Sequence, residues 1–265
     1  MKGCHGKETN MIEQFLVTGV FAFILTFVRI GSAVMIMPGL GDSFVPGRIR
    51  LHLALALTLA LFPLLMPLMP VPIPVTGKLI VLITMEFIVG VFFGTIARIF
   101  MTALDTAGMI ISLQSGLANA QLFNPSLAAQ GSLMGAFLSV TGVVVLFTTN
   151  LHHLLIIGAL ESYQLFPIGE IPDTGSMADL MARTISASFS IGLKIAAPFV
   201  VITLLIYVGM GVLARLMPQV QVFLLAMPVQ ILISLATLAL VLSAILAFWL
   251  ASFRDGMVFF LSGGG

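Results

Sequence analysis

Apolar residues run for about twenty positions at a time in this chain, and few charges interrupt them. A helix needs about 20 apolar residues to span the hydrocarbon of a bilayer. Six stretches meet that length: Gln14 to Met37, Leu51 to Met69, Leu79 to Leu104, Gly135 to Ile157, Ser188 to Leu213 and Val220 to Leu250. Hydrophobic residues make up 60% of the 265 positions and charged residues 8%, against about 25% charged in soluble domains. A globular fold of this length leaves roughly a quarter of its unfolded surface wet, too much to hide such a composition from water. The bilayer is the remaining solvent. A soluble enzyme, a disordered chain and a nucleic-acid binder are excluded, and a net charge of +1 gives no pull toward an acidic polymer. The single cysteine, Cys4, offers neither an internal disulfide nor a metal cluster. The first apolar stretch is too long for a secretory h-region and lacks a small-residue cleavage site, so no signal peptide is expected.

Two connectors stand out. Pro63, Pro67, Pro70, Pro72 and Pro74 crowd the link between the second and third spans, where the missing amide donors predict an extended, stiff turn. The segment from Thr106 to Gly131 holds no charge, yet Gln114, Ser115, Asn119, Gln121, Asn124 and Gln130 make it too polar to face lipid. Such backbone survives at membrane depth only when buried in protein or facing water, which predicts a broken helical hairpin interrupted near Asn124-Pro125. The positive-inside rule places Arg48, Arg50 and Arg215 on the cytoplasmic side. The acidic loop from Gly158 to Arg183 and both termini then fall outside.

Three charges within spans are singled out: Arg29, Glu86 and Arg98. Glu86 and Arg98 stand about 18 Å apart along one helix and cannot pair with each other. Either they line a proton or ion path, or each pairs with a neighbouring helix or snorkels. Gly90 and Gly94 continue their side of the third span. Gly108, Ser112, Gly116 and Ala120 form a second small-residue ladder, and Gly131, Gly135 and Ser139 a third. Small residues permit close helix contacts, either within the chain or as assembly faces toward other subunits. The uncharged polar segment reads as a lining for a chemically varied passenger, as a substrate pocket at a discontinuous helix, or as a structural re-entrant loop. His152 and His153 are adjacent and diverge on a helix, so they do not make a metal site. No HExxH, GxSxG or phosphate-binding GxxxxGK[ST] motif occurs. No enzymatic activity and no cofactor are expected.

The punctuating residues carry a resemblance. Arg29-Ile30-Gly31, Met37-Pro38-Gly39-Leu40-Gly41 and Val45-Pro46-Gly47-Arg48-Ile49-Arg50 resemble the start of the FliR family, membrane components of the flagellar type III export apparatus. Glu86 with Gly90 and Gly94 is similar to that family's third hydrophobic segment, and Gly108, Gln114-Ser115-Gly116-Leu117 and Asn124-Pro125 to its polar centre. Gly211-Val212-Leu213-Ala214-Arg215-Leu216-Met217-Pro218-Gln219, with Val222-Phe223 and Pro228, resembles its last hairpin and is the most specific match. Asn124 departs from the family, where Asp is more usual, and the polar leader is longer than the family's.

The resemblance implies an all-α integral membrane protein built from hairpins, one subunit of a helical hetero-oligomeric pore. It divides the chain into a polar leader (1–11), a FliP-like region (12–184) containing the broken hairpin (106–131), and a FliQ-like hairpin (185–265). One copy is expected to join FliP and FliQ, with FlhB as a further partner, in the bacterial inner membrane at the flagellar basal body. Part of that assembly stands at periplasmic level, which makes the six spans nominal. Unfolded flagellar proteins pass through the channel, driven by proton-motive force and a soluble ATPase acting through other proteins. Gln114 to Pro125 is the segment expected to close the pore, and Arg215 to Pro218 the cytoplasmic-side contact. A virulence-injectisome paralogue, a small-solute transporter and a purely structural subunit are the alternatives.

Overall fold

A computed structural model describes residues 3–69, 76–118, 132–217 and 222–261, with side chains for all of these except 3–17, 76, 222–225 and 259–261. The described residues form seven α-helices: α1 (Gly3–Ile36), α2 (Gly47–Leu65), α3 (Thr76–Gln114), α4 (Leu133–Thr148), α5 (Leu151–Leu165), α6 (Thr174–Leu216) and α7 (Val222–Leu261). A 3-10 turn at Met66–Leu68 follows α2. No strand occurs among the described residues, as expected where lipid cannot satisfy open backbone groups. The chain is an all-α membrane protein. Five helices are long and apolar enough to cross a membrane, and α4 with α5 makes a sixth span only if the two are counted together.

Local sequence explains most boundaries, and several differ from the expectation. α1 ends before Pro38, and Gly39 takes a left-handed φ of 80° to start the turn. Gly41 closes it, because a Cβ there would lie 2.5 Å from the Met35 carbonyl oxygen. The proline-rich link begins later than predicted: Pro63 lies inside α2, and the 3-10 turn through Pro67 follows. Pro70, Pro72 and Pro74 lie outside the described residues. The third span runs on past Leu104, through Asp105, to Gln114. The fourth is not one helix. It breaks at Thr149–Asn150, where Asn150 adopts φ 60°, a conformation its short polar side chain tolerates. The acidic loop shrinks to 166–173, because Gly158 to Leu165 belongs to α5 and Thr174 to Arg183 opens α6.

The chain forms two compact units. One comprises Met1–Arg98, His152–Met181 and Met257–Gly265, the other Ile99–Leu151 and Ala182–Gly256. In the first, Ala22, Leu25, Ile30 and Ala33 of α1 and Val89, Phe93, Ile96 and Ala97 of α3 are buried. In the second, Trp249 is fully buried, donates its indole N–H to the Phe100 carbonyl at 2.9 Å, and stacks at a tilt on Phe253. Gly256 sits so close to Phe100 that a Cβ would fall 2.1 Å from the ring.

Most of α2, α6 and α7 stays uncovered in the single chain. On α6 the exposed apolar side chains run from Ile185 to Leu216, about 46 Å at 1.5 Å per residue. Fitting that length inside about 30 Å of hydrocarbon needs a tilt of about 50°, beyond the usual range of up to about 40°. Part of this face therefore needs cover other than lipid tails.

Candidate functional site

The polar segment is rooted at the end of α3. The last helical amide, Ser115 N–H, bonds to Ile111 O at 2.8 Å, and Gly116 then turns the chain with a φ of 77°. The Ala118 amide, which helical continuation would give to Gln114 O, bonds instead to Ser112 O at 3.1 Å. Gln114 O is not left orphaned. It accepts from the Thr203 hydroxyl of α6 at 3.0 Å and from the Gln230 side-chain amide of α7. Thr203 and Gln230 are buried, so two otherwise costly polar groups and one carbonyl satisfy each other. Ser115 is buried, and its hydroxyl donates to Ser112 O.

The same root is braced by α4. Gly108 faces the backbone of Gly135, where a Cβ would lie 2.3 Å from the Gly135 nitrogen. Ser132 donates to Gly108 O at 3.0 Å and caps α4 by accepting the Gly135 amide at 3.1 Å. Asn119, Gln121, Asn124, Pro125, Gln130 and Gly131, with the expected break at Asn124-Pro125, lie outside the described residues.

The intramembrane charges are placed in detail. Arg29 of α1 and Glu86 of α3 form a forked ion pair: Nε donates to Oε2, and Nη2 donates to Oε1 at 3.0 Å. Both are 2% exposed. The guanidinium also donates to Ser162 O at 3.2 Å and to Phe166 O at 2.9 Å, and lies 3.9 Å from the centre of the Tyr163 ring. One side chain thus closes the C-terminal end of α5 and ties it to α1 and α3. Gly90 makes the approach possible, since a Cβ would lie 2.3 Å from Arg29 O and 2.0 Å from Ser32 Oγ. At Gly94 a Cβ would lie 2.8 Å from Ala33 O.

Glu86 and Arg98, which were too far apart to pair, each have another partner. Arg98 pairs with Asp42 at 3.1 Å and donates to Ile36 O at 3.3 Å. Asp42 also accepts the Gly39 amide, and Arg50 donates to Asp42 O and Val45 O. The Pro38–Pro46 turn is thereby pinned by two arginines, while Arg48 is exposed. Arg215 lies exposed in the last turn of α6, where a cation suits the helix dipole. Pro228 lies inside α7, and Pro218 and Gln219 lie outside the described residues.

Of the small-residue faces, Gly90 and Gly94 lie against α1, and Gly108 lies against α4 at Gly135. Ser112 is buried in its own unit. Sequence reading missed Thr203, Gln230, Tyr163 and two charges inside helices, Asp105 and Lys194. The signal for Thr203, Gln230 and Lys194 was a polar residue inside an apolar run. Among the described residues, no three His, Cys, Asp or Glu converge to hold a metal. Outside the spans, Asp173 caps α6. The Ser176 hydroxyl and the Gly175 and Ser176 amides hold its carboxyl below the usual carboxylate range.

Residues 20–256 match the family of bacterial export proteins, family 1. The chain belongs to the FliR family of these proteins. Flagellar biosynthetic protein FliR of Caulobacter vibrioides is 39% identical over 237 residues, 89% of this chain and 94% of that protein. FliR of Bacillus subtilis is 30% identical over 84% of this chain and 87% of its own length. Yop proteins translocation protein T of Yersinia pestis is 32% identical over a shorter stretch, 57% of this chain and 59% of that protein. Two of the features described above, the Arg29–Glu86 pair and the Gln114 clamp, lie wholly inside the FliR-family match.

Proposed function

We propose that this FliR-family chain, a membrane component of flagellar type III export, is a non-enzymatic core subunit of the export gate. In this reading one copy joins FliP and FliQ to form the channel for unfolded flagellar proteins, with FlhB as a further partner. The assembly sits in the inner membrane at the flagellar basal body. Residues 12–184 act as the FliP-like part and 185–265 as the FliQ-like hairpin. The observation that carries the reading is the family match over residues 20–256, with a FliR relative aligned over nearly its whole length. The uncovered apolar length of α6 supports the assembly part, because it outruns the bilayer.

The closing element is Gln114 to Pro125, including Ser115, Gly116, Asn119, Gln121 and Asn124. Its lack of charge suits a passage that must let varied polypeptides leave, and its root turns at Gly116. The exposed apolar faces of α6 and α7 serve as assembly surfaces, beside the small-residue faces at Gly90, Gly94, Gly108, Ser112, Gly131 and Gly135. The injectisome paralogue is the second reading, favoured by the match to Yop translocation protein T, although that match covers less of both chains than the FliR matches do.

The test is the native mass of the detergent-extracted chain co-expressed with its FliP and FliQ neighbours. One copy in a large hetero-oligomer is the expected result; a monomer or homodimer that ignores those neighbours overturns the reading. Deleting the gene should abolish flagellar filaments. Intact filaments with loss of effector secretion would favour the injectisome.

A further inference from the structure

α6 has a buried side and an uncovered side. Ile191, Ile195, Phe199 and Thr203 are buried, and Gly192 lies against α3 so closely that a Cβ would be 3.0 Å from Ala103 O. Lys194 is two residues beyond Gly192, about 200° around the helix, and therefore points away from α3. It is exposed. Val201, Leu205, Val208 and Val212 share its side and are 56–65% exposed. Lys194 is the sole charge between Arg183 and Arg215 and stands near the middle of the 43-residue helix. It takes no part in the Arg29–Glu86 or the Arg98–Asp42 pair.

Two physical arguments bear on what covers this side. The apolar face around Lys194 is too long for the hydrocarbon at ordinary tilts, so protein must cover part of it. An ammonium covered by protein in an apolar setting is retained only when a counter-charge meets it. A lipid phosphate answers the charge but does not cover the excess length.

We infer that the Lys194 face of α6 seats an apolar helix of a companion membrane subunit, and that this helix carries an Asp or Glu that pairs with Lys194. The inference rests on reading the chain as a subunit of a hetero-oligomeric export gate. The pair fixes the height at which the companion docks along α6, since a helix sliding by one turn leaves both charges bare. Specificity comes from that charge, because the surrounding Val and Leu contacts are tolerant of register.

The experiment compares wild type with Lys194→Arg, Lys194→Leu and Lys194→Glu, each co-expressed with its membrane neighbours and extracted as the complex. The amount of chain in the membrane fraction serves as the folding control. Lys194→Arg should assemble as wild type. Lys194→Leu should lower the recovered complex several-fold, and Lys194→Glu at least tenfold, at unchanged membrane levels. Carbodiimide treatment of the wild-type complex should join the Lys194 amine to a carboxylate of another subunit, a link that Lys194→Arg cannot form. Full assembly of both Lys194→Leu and Lys194→Glu, without that link, overturns the inference and assigns Lys194 to lipid headgroups, leaving the export reading intact. A wild-type chain that joins no neighbour removes both.

Discussion

Breaking the Arg29–Glu86 pair from either side should have unequal consequences. Glu86→Met removes the carboxylate but leaves the guanidinium two carbonyl acceptors, Ser162 O and Phe166 O, and the Tyr163 ring. Loss of one partner of a buried pair costs about 3 kcal/mol at the low end. Arg29→Met strands the carboxylate and also takes from Phe166 O its donor, at roughly 1 kcal/mol or more, while Ser162 O keeps the Phe166 amide at 2.9 Å. The expected losses are about 3 kcal/mol for Glu86→Met and about 4 kcal/mol for Arg29→Met. The double variant leaves no bare charge, so it should cost less than Arg29→Met alone and far less than the sum. The assay is reversible unfolding of the purified chain in mixed micelles, titrated with a denaturing detergent. Single losses that add to within about 0.5 kcal/mol in the double variant would refute the reasoning, because they would mean that the two groups do not feel each other.

Gly108→Ala should destabilise the same preparation by about 1–3 kcal/mol, because the new methyl meets the Gly135 backbone. Gly209→Ala, with nothing within 4 Å, should instead raise stability by about 0.5–1 kcal/mol. The Asp173 cap has a lowered carboxyl pKa, so its contribution is complete above the ordinary carboxylate range and is lost as pH falls below it through the lowered value. Protection of the Gly175 and Ser176 amides, relative to their intrinsic exchange rates, should fall only in that acid window, and in Asp173→Ala it should be absent at every pH. Thr203→Val with Gln230→Leu leaves Gln114 O without its two donors. In cells carrying the complex, ion leakage should rise several-fold while assembly persists; unchanged leakage would separate the clamp from closure.

The helical membrane class was legible because apolar runs leave a chain few other solvents. The boundaries were less so, because charges were taken as ends of spans. The expected third span ends at Leu104, yet Asp105 sits inside α3, a helix of 39 residues, and Lys194 sits inside both the fifth span and α6, a helix of 43. Helices longer than a bilayer is thick can carry charges where lipid does not reach or where protein answers them. Pro63 misled in the opposite direction, since a single proline near a helix end costs one hydrogen bond and need not stop the helix. Asn150 was invisible to hydropathy, because its break depends on one left-handed residue rather than on polarity. Arg29 and Glu86 were both singled out, but not as a pair. Their meeting depends on Gly90 allowing α3 to lie against α1, a tertiary fact that no spacing within one segment encodes.

The polar groups of this chain fall into two energetic kinds, and the proposed function needs both. Around Arg29, a forked ion pair and two carbonyls form a joint that costs several kcal/mol to open, because a bare charge would remain. At Gln114, two hydrogen bonds to a backbone oxygen hold the root of an uncharged segment, each worth about 1 kcal/mol net. A gate needs a frame that does not yield when a polypeptide pushes past and a stop that does. Charge in the stop would bind passengers unequally, while hydrogen-bonded amides and hydroxyls can exchange partners with any backbone. On the proposed function the yielding point is Gly116, where the chain leaves α3 in a left-handed turn. Any L-residue there is strained in the rooted conformation, so Gly116→Leu should alter closure without touching the Arg29 joint.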